Sequence, residues 1–229
     1  MSSVREASIW VVIAAYNEAA VIGHVLCDLI ARQYNVIVVD DGSHDATADV
    51  AAGAGAWLVP HPVNLGQGAA LQTGIKFGLA HGASHIVTFD ADGQHRAADI
   101  PRLLDALDAS GADFALGSRF LGQSPGMPPS RRWLLRAATA FTRLTTGLKV
   151  TDTHNGLRAM TRRGASRLAL RQNRMAHASE LLEQMARSGL AYVEVPVTID
   201  YSRYSLAKGQ QFDDMLKIML DLCAQRLTR

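Results

Sequence analysis

At 229 residues, 48% apolar and 19% charged, the chain has the composition of one large globular domain, or of one domain with a short appendage. The net charge of +2 hides an asymmetry: residues 1–118 carry 5 Lys/Arg against 13 Asp/Glu, and residues 119–229 carry 18 against 8. No secretory signal and no membrane span is expected, because residues 1–8 are polar and the longest stretch without Asp, Glu, Lys or Arg, Val50–Ile75, is broken by glycines and prolines.

In chain order, Ile9–Ala14 is a continuous apolar run, as a parallel strand buried on both faces requires. Asn17 is the expected N-cap of a helix over Ala19–Arg32, where Val21, Val25 and Leu29 share a face. Val36–Val39 reads as a second buried strand that ends in Asp40-Asp41-Gly42-Ser43, followed by a short helix over Asp45–Ala54. Ala56–Val59 is a third strand, and Asn64-Leu65-Gly66-Gln67-Gly68 turns into a helix over Ala69–Ala80. His85–Phe89 is a fourth strand, carrying Asp90-Ala91-Asp92-Gly93-Gln94-His95 at its end. A helix over Ile100–Leu107 and a fifth strand, Phe114–Leu116, lead to Gly117-Ser118-Arg119.

Strands alternating with helices of about a dozen residues indicate βαβ units and a doubly wound, mostly parallel sheet flanked by helices. Polar residues gather after the strand ends, where open α/β sheets bind ligands. Beyond the loop Gly122–Pro129 the pattern changes. Arg131–Thr146 reads as a basic amphipathic helix with Trp133, Ala137, Phe141 and Leu144 on one face and Arg132, Arg136 and Arg143 on another. A polar loop, Thr151–Arg158, a helix over Ala178–Arg187 and an edge strand over Tyr192–Tyr201 follow, the edge being favoured by Pro196. The chain ends in an amphipathic helix within 211–229, with Phe212, Met215, Leu216, Met219, Leu222 and Cys223 on its apolar face. Cys27 and Cys223 lack metal or redox spacing and read as small hydrophobes in a core or interface; a cytoplasmic location fits.

The aspartate pair is the strongest signal. Residues i and i+2 of an extended chain point the same way, about 6.5–7 Å apart, so Asp90 and Asp92 face one site. Their repulsion, roughly 2–3 kcal/mol at an effective dielectric near 20, calls for a cation, and hard oxygen ligands suit Mg²⁺ or Mn²⁺. The Asn64–Gly68 turn lacks the Gly-Lys-Ser/Thr ending of a P-loop and the spacing of G-x-G-x-x-G, which disfavours a nucleotide triphosphatase or a Rossmann dehydrogenase. Arg119, Arg131, Arg203 and Lys208 suggest diphosphate binding opposite the acidic site.

Ala15-Tyr16-Asn17-Glu18, Asp40-Asp41-Gly42-Ser43, the Asn64–Gly68 turn, Asp90-Ala91-Asp92-Gly93-Gln94-His95 and Gly117-Ser118-Arg119 occur in an order that resembles the family 2 glycosyltransferases of the GT-A fold. The subgroup most similar to it is the dolichol-phosphate or polyprenyl-phosphate mannose and glucose synthases. The resemblance covers about residues 9–210 and divides them into a nucleotide- and metal-binding half, 1–122, and an acceptor half, 123–210. It implies an inverting hexosyltransferase that takes a UDP- or GDP-sugar, a divalent cation and a polyprenyl (dolichyl or undecaprenyl) phosphate. By the same resemblance, Ala14, Tyr16, Glu18, Asp41, Gln67, Asp90 and Ala91 would bind the nucleotide-sugar, and Asp90, Asp92 and Gln94 the metal. Asp92, Asp152 and Arg119 would be catalytic, and Arg119, Arg131, Arg203 and Lys208 would serve the diphosphate and the acceptor phosphate. Ala14 stands where the family usually has Pro, and Leu157 replaces the common Phe before Arg158.

A phosphate acceptor is already anionic and requires no strong base, whereas a hydroxyl acceptor would require one such as Asp152 or Glu180. The competing readings are transfer to a saccharide hydroxyl in cell-envelope polysaccharide synthesis, an inert nucleotide-sugar-binding subunit, and a receiver-type signalling domain, for which the chain is too long. A lipid-phosphate acceptor places the protein peripherally on the inner face of a membrane. The terminal helix would then contact the bilayer, a small membrane protein or a second copy of the chain. No nucleic-acid partner is expected.

Overall fold

β-branched and aliphatic runs form β1 (Ile9–Ala15), β2 (Asn35–Asp40), β3 (Trp57–Pro60) and β4 (His85–Asp90) in a computed structural model that describes residues 9–172, 176–202 and 204. Between them lie α1 (Ile22–Ala31), α2 (Thr47–Gly53) and α3 (Gln67–Ala80). A 3₁₀ turn at Ala97–Asp99 leads into α4 (Ile100–Ser110), then β5 (Phe114–Gln123) and α5 (Pro129–Thr146). The described part ends with β6 (Arg158–Thr161), α6 (Arg162–Ala165), α7 (Ala176–Ser188) and β7 (Tyr192–Thr198). The terminal helix expected over 211–229, with Cys223, Arg203 and Lys208, lies outside the described residues.

The seven strands form one sheet in the order β3-β2-β1-β4-β6-β5-β7. β1, β2, β3 and β4 pair parallel, as do β5 and β7, while β6 runs antiparallel to both β4 and β5. The sheet is therefore continuous across residue 122. Period-two alternation feeds two cores. Ile9, Val11, Ile13 and Ala15 of β1 join α1, α2 and α4 on one face, while Trp10 and Val12 join α3, α6 and α7 on the other. α3 approaches the sheet closely because Gly74 and Gly78 face it; a Cβ at Gly78 would lie 2.7 Å from Ile86 Cδ1, and one at Gly74 would collide with Val12 Cγ1.

Several local expectations are corrected. Asn17 does not cap α1: it has φ +53°, its Oδ1 accepts from His44 N–H (2.8 Å) and its N–H donates to Ser43 Oγ (2.9 Å), so it pins the loop after β1 to the loop after β2. α1 starts only at Ile22 and buries Ile22, Val25, Leu26 and Leu29, a phase that leaves Cys27 exposed rather than in a core. β5 runs seven residues beyond Leu116 into the expected loop, because Gly122 lets it pass directly against the Val197 backbone. α5 meets the protein through Leu134, Leu135, Ala138, Thr139 and Thr142, while Trp133 and Leu144, grouped on one face in the sequence, are exposed. β7 is the edge strand expected, with Val195, Val197 and Ile199 turned inward.

Candidate functional site

β1, β2 and β4 end together. Their register sets Ala14 beside both Val39 and Asp90, and Ala15 beside Asp40. The residues that follow each strand therefore converge on one carboxyl edge of the sheet, which is where a parallel sheet opens a crevice.

Asp90 closes β4. His95 Nε2 sits 2.8 Å from its Oδ2, and Gln67 Nε2, at the start of α3, sits 3.4 Å from its Oδ1. Burial works against the Asp90 charge, but His95, His177 and Arg158 hold its pKa below the ordinary carboxylate value. Asp90 is thus ionised, and the His95 Nε2–H donates to it. Asp92 is the opposite case. Its Oδ1 accepts one bond, from Gln94 N–H (3.0 Å). Burial and the neighbouring Asp90 charge push its pKa up to about 6, with a smaller push from Glu18. The site carries more negative charge than its protein surroundings neutralise, and a hard divalent cation fits that excess. Among the described residues no group of three or more His, Cys, Asp or Glu side chains is arranged to hold a metal by itself. A cation that takes one or two carboxylates and completes its shell with phosphate oxygens matches this donor set.

Gly156 was not singled out in sequence, yet it borders the aspartates. A Cβ there would fall on both carboxylate oxygens of Asp90, and Thr88 Oγ1 donates to the Gly156 carbonyl (2.6 Å), fixing the approach. Gly156→Ala must displace either the carboxylate or the loop. Turnover should fall about 100-fold or more, as expected of roughly 1 Å of misplacement, with a stability loss of about 1–3 kcal/mol from overpacking. Steady-state kinetics beside thermal unfolding check this, and a wild-type rate would refute it.

The residues expected at the nucleoside divide. Tyr16 is 40% exposed and meets His44 edge-on at 6.4 Å. Glu18 Oε2 accepts from Tyr204 Oη (2.8 Å). Asp41 is buried and fully engaged: Oδ1 meets His61 Nδ1 (2.7 Å) and accepts from Leu65 N–H (2.9 Å), and Oδ2 accepts from Gly66 N–H (2.7 Å). His61 Nε2 in turn reaches Thr73 Oγ1 at 3.0 Å. The Asp41 carboxylate thus ties the Asn64–Gly68 turn to β2 rather than standing open to a ligand. Ala91 and Gln94 are buried beside Asp90 and Asp92.

Arg119 and Asp152, both expected to be catalytic, are bonded to each other. Both are buried. Arg119 N–H and Nε donate to Asp152 Oδ2 (3.0 and 2.6 Å), Nη1 donates to Tyr201 Oη (2.6 Å), and Nη2 donates to the His154 carbonyl. Asp152 Oδ1 accepts from His154 N–H (3.3 Å). Burial opposes the Arg119 charge, but Asp152 and Tyr201 hold its pKa above the ordinary value. Glu194 on β7 supports the same loop, its Oε1 accepting from Thr151 N–H (2.7 Å), Thr151 Oγ1 (2.9 Å) and Asp152 N–H (3.3 Å). Burial, with Arg119, Arg158 and His177 nearby, drives the His154 pKa down to about 4, so this imidazole is neutral at physiological pH. Arg131, at the start of α5, is differently placed. Its guanidinium lies 5.3 Å over the Tyr201 ring and its Nε has no hydrogen-bond partner among the described residues.

His61, His95, Gly156, Tyr201 and Glu194 are the site residues that sequence reasoning did not assign. Only His95 left a signal, as the last residue of the aspartate motif; the others reach the site through strand order.

Residues 10–168 match the family described as Glycosyl transferase family 2. An uncharacterized protein of Methanocaldococcus jannaschii is 34% identical to the chain, over 99% of this chain and 96% of that one. UDP-N-acetylglucosamine–dolichyl-phosphate N-acetylglucosaminyltransferase of Methanococcus voltae is 32% identical, over 88% and 89%. Among solved structures, glucosyl-3-phosphoglycerate synthase from Mycobacterium tuberculosis, crystallised with Mn²⁺ and UDP-glucose, superposes with a TM-score of 0.75 at 23% identity, over 99% of this chain and 82% of that one, and so shares the fold.

Proposed function

The chain belongs to glycosyl transferase family 2, and from that premise we propose that it is an inverting transferase moving a hexose from a UDP- or GDP-sugar to a polyprenyl phosphate at the inner face of a membrane. Its helix-flanked sheet, parallel except for β6, is the GT-A fold. The observation that carries the proposal is the carboxylate pair at the end of β4: Asp90 is held ionised by His95, and Asp92 has an excess charge that a cation on a diphosphate would relieve. Support for the acceptor comes from the relative named for dolichyl phosphate.

In this reading residues 1–122 bind the nucleotide and metal, and 123–210 receive the acceptor. Asp90, Asp92 and Gln94 would hold Mg²⁺ or Mn²⁺. When bound, that ion neutralises charge developing on the leaving diphosphate. Tyr16 and Glu18 would take the nucleoside, with Glu18 exchanging its bond to Tyr204 for one to the ligand. Asp41 contributes by shaping the turn that starts α3, and Gln67 and Ala91 border the sugar diphosphate. Arg131 is the described cation best placed for a phosphate, while Arg119 fixes the loop that carries Asp152. Because Asp152 is committed to Arg119, it is poorly placed as a base for a hydroxyl acceptor, and this favours a phosphate, which needs none.

Titration calorimetry with UDP and GDP tests the metal role. Affinity should rise at least tenfold when Mn²⁺ is present, and equal affinity with and without it would overturn that role. A donor screen read by mass spectrometry tests the function. Undecaprenyl or dolichyl phosphate should gain one hexose, whereas transfer only to a saccharide hydroxyl or to phosphoglycerate would refute the lipid acceptor. Nucleotide binding with no transfer to any of them would mark an inert subunit.

A further inference from the structure

We propose that α5 is the membrane-contact surface, and that the groove along its arginine flank binds the phosphate of an anionic lipid head group. The proposal deepens the membrane-acceptor reading by naming the surface, and it uses residues outside the Asp90–Asp92 site.

α5 packs by Leu134, Leu135, Ala138, Thr139 and Thr142. At 100° per residue the opposite side of the helix is Trp133, Ala137, Ala140 and Leu144. Trp133 is 70% exposed and Leu144 86%, the two most exposed large hydrophobic side chains among the described residues. Leu134 and Leu135 form a small cluster with Phe120 and Met127, separate from the two main cores, so α5 stands at the margin of the domain. Arg132, Arg136 and Arg143 line one flank of the apolar stripe. Helices that lie in a bilayer interface carry this pattern: Trp and Leu toward the acyl region, guanidinium groups at head-group level.

The flank is also concave. Phe120, Arg136, Thr139, Ala140, Arg143, Leu144 and Thr151 border an open groove of about 590 Å³. The Arg136 guanidinium sits 5.6 Å over the Phe120 ring, and neither Arg136 nor Arg143 forms an ion pair among the described residues. Two guanidinium groups and apolar walls together suit a phosphodiester with a hydrocarbon tail, while the Thr139 and Thr151 hydroxyls donate to the Leu135 carbonyl and to Glu194. Charge complementarity selects an anionic bilayer over a second copy of the chain. From Phe120 to Thr151 the sequence contains no Asp or Glu and five cations, Arg131, Arg132, Arg136, Arg143 and Lys149. Each cation near an anionic surface adds to the attraction, whereas two such faces meeting each other would repel.

The test is co-sedimentation of the full chain with vesicles of phosphatidylcholine alone, or with about a third phosphatidylglycerol, both free of polyprenyl phosphate. Binding should be at least tenfold stronger to the anionic vesicles and should weaken with salt. Trp133→Ser and the double variant Arg136→Gln/Arg143→Gln should each reduce it at least tenfold. Calorimetric nucleotide binding should be unchanged in both, since Trp133 lies on the outer side of α5, Arg136 and Arg143 lie on its flank, and none of them is among the residues assigned to the nucleotide. Undiminished vesicle binding in both variants would overturn the proposal while leaving the enzymatic reading intact. Displacement by millimolar inorganic phosphate would mark a free-phosphate site instead, and dimerisation lost in Trp133→Ser would mark a subunit interface; either would overturn it. Vesicle binding by a protein that binds no nucleotide would refute the enzymatic reading and leave this one standing.

Discussion

Replacing Arg119 with methionine should destabilise the fold by about 3–5 kcal/mol, the cost of leaving one partner of a buried ion pair behind. Arg119 satisfies the Asp152 carboxylate, Tyr201 Oη and the His154 carbonyl at once. Without it a buried negative charge loses its only ion-pair partner among the described residues, and the loop from Thr151 to Arg158 loses its side-chain anchor to residue 119, keeping the bonds from the residue-119 N–H, Gly117 N–H and Ser118 Oγ. Methionine keeps most of the volume, so the loss reports the charge rather than a cavity. Urea unfolding measures it, and Arg119→Met/Asp152→Asn should recover part of it because the stranded charge is gone. A drop below 1 kcal/mol, with activity lost, would instead make Arg119 a ligand for phosphate and defeat the structural role.

Asp92→Asn should have the reverse profile. Turnover should fall by at least 10²–10³-fold, because the proposed cation on the diphosphate would lose a charged ligand. The metal-free protein should nevertheless gain stability. Folding raises the Asp92 pKa from 3.8 to about 6, so the ionised carboxylate costs the fold stability above pH 6. That cost vanishes as pH falls from 6 towards 3.8, where the unfolded chain also becomes protonated. At about 1.4 kcal/mol per unit, discounted for partial exposure, the variant should be more stable by about 1–3 kcal/mol at pH 7.5 and by almost nothing at pH 4. Asparagine keeps the bond from Gln94 N–H, so melting temperatures across pH isolate the charge. A variant no more stable than wild type at pH 7.5 would show that the carboxylate is not strained.

The contrast between these two carboxylates follows from what surrounds each. Asp152 has a guanidinium in contact and stabilises the fold while its partner remains. Asp92 has another carboxylate as neighbour, and burial and that neighbour oppose its ionisation. Local sequence distinguishes them poorly, since both sit in polar loops after or between strands. What separates them is strand order: β6 lies between β4 and β5 and brings the Thr151–Arg158 loop against both Asp90 and Arg119.

The sequence by itself determined the alternation of strands and helices, the carboxyl-edge position of the motifs and the Asp90–Asp92 pair. Each depends on spacing within a few residues, through side-chain periodicity and the turn after a strand. Tertiary structure decided the rest. It engaged Asp41 with His61 and the Leu65–Gly66 backbone, paired Arg119 with Asp152, brought Gly156 onto Asp90 and turned the Trp133–Leu144 face of α5 outward. Each of these joins residues 20 or more positions apart, or depends on which face of a helix finds a partner. Such contacts are set by which strands become neighbours and how closely backbones pack, and no local pattern encodes either.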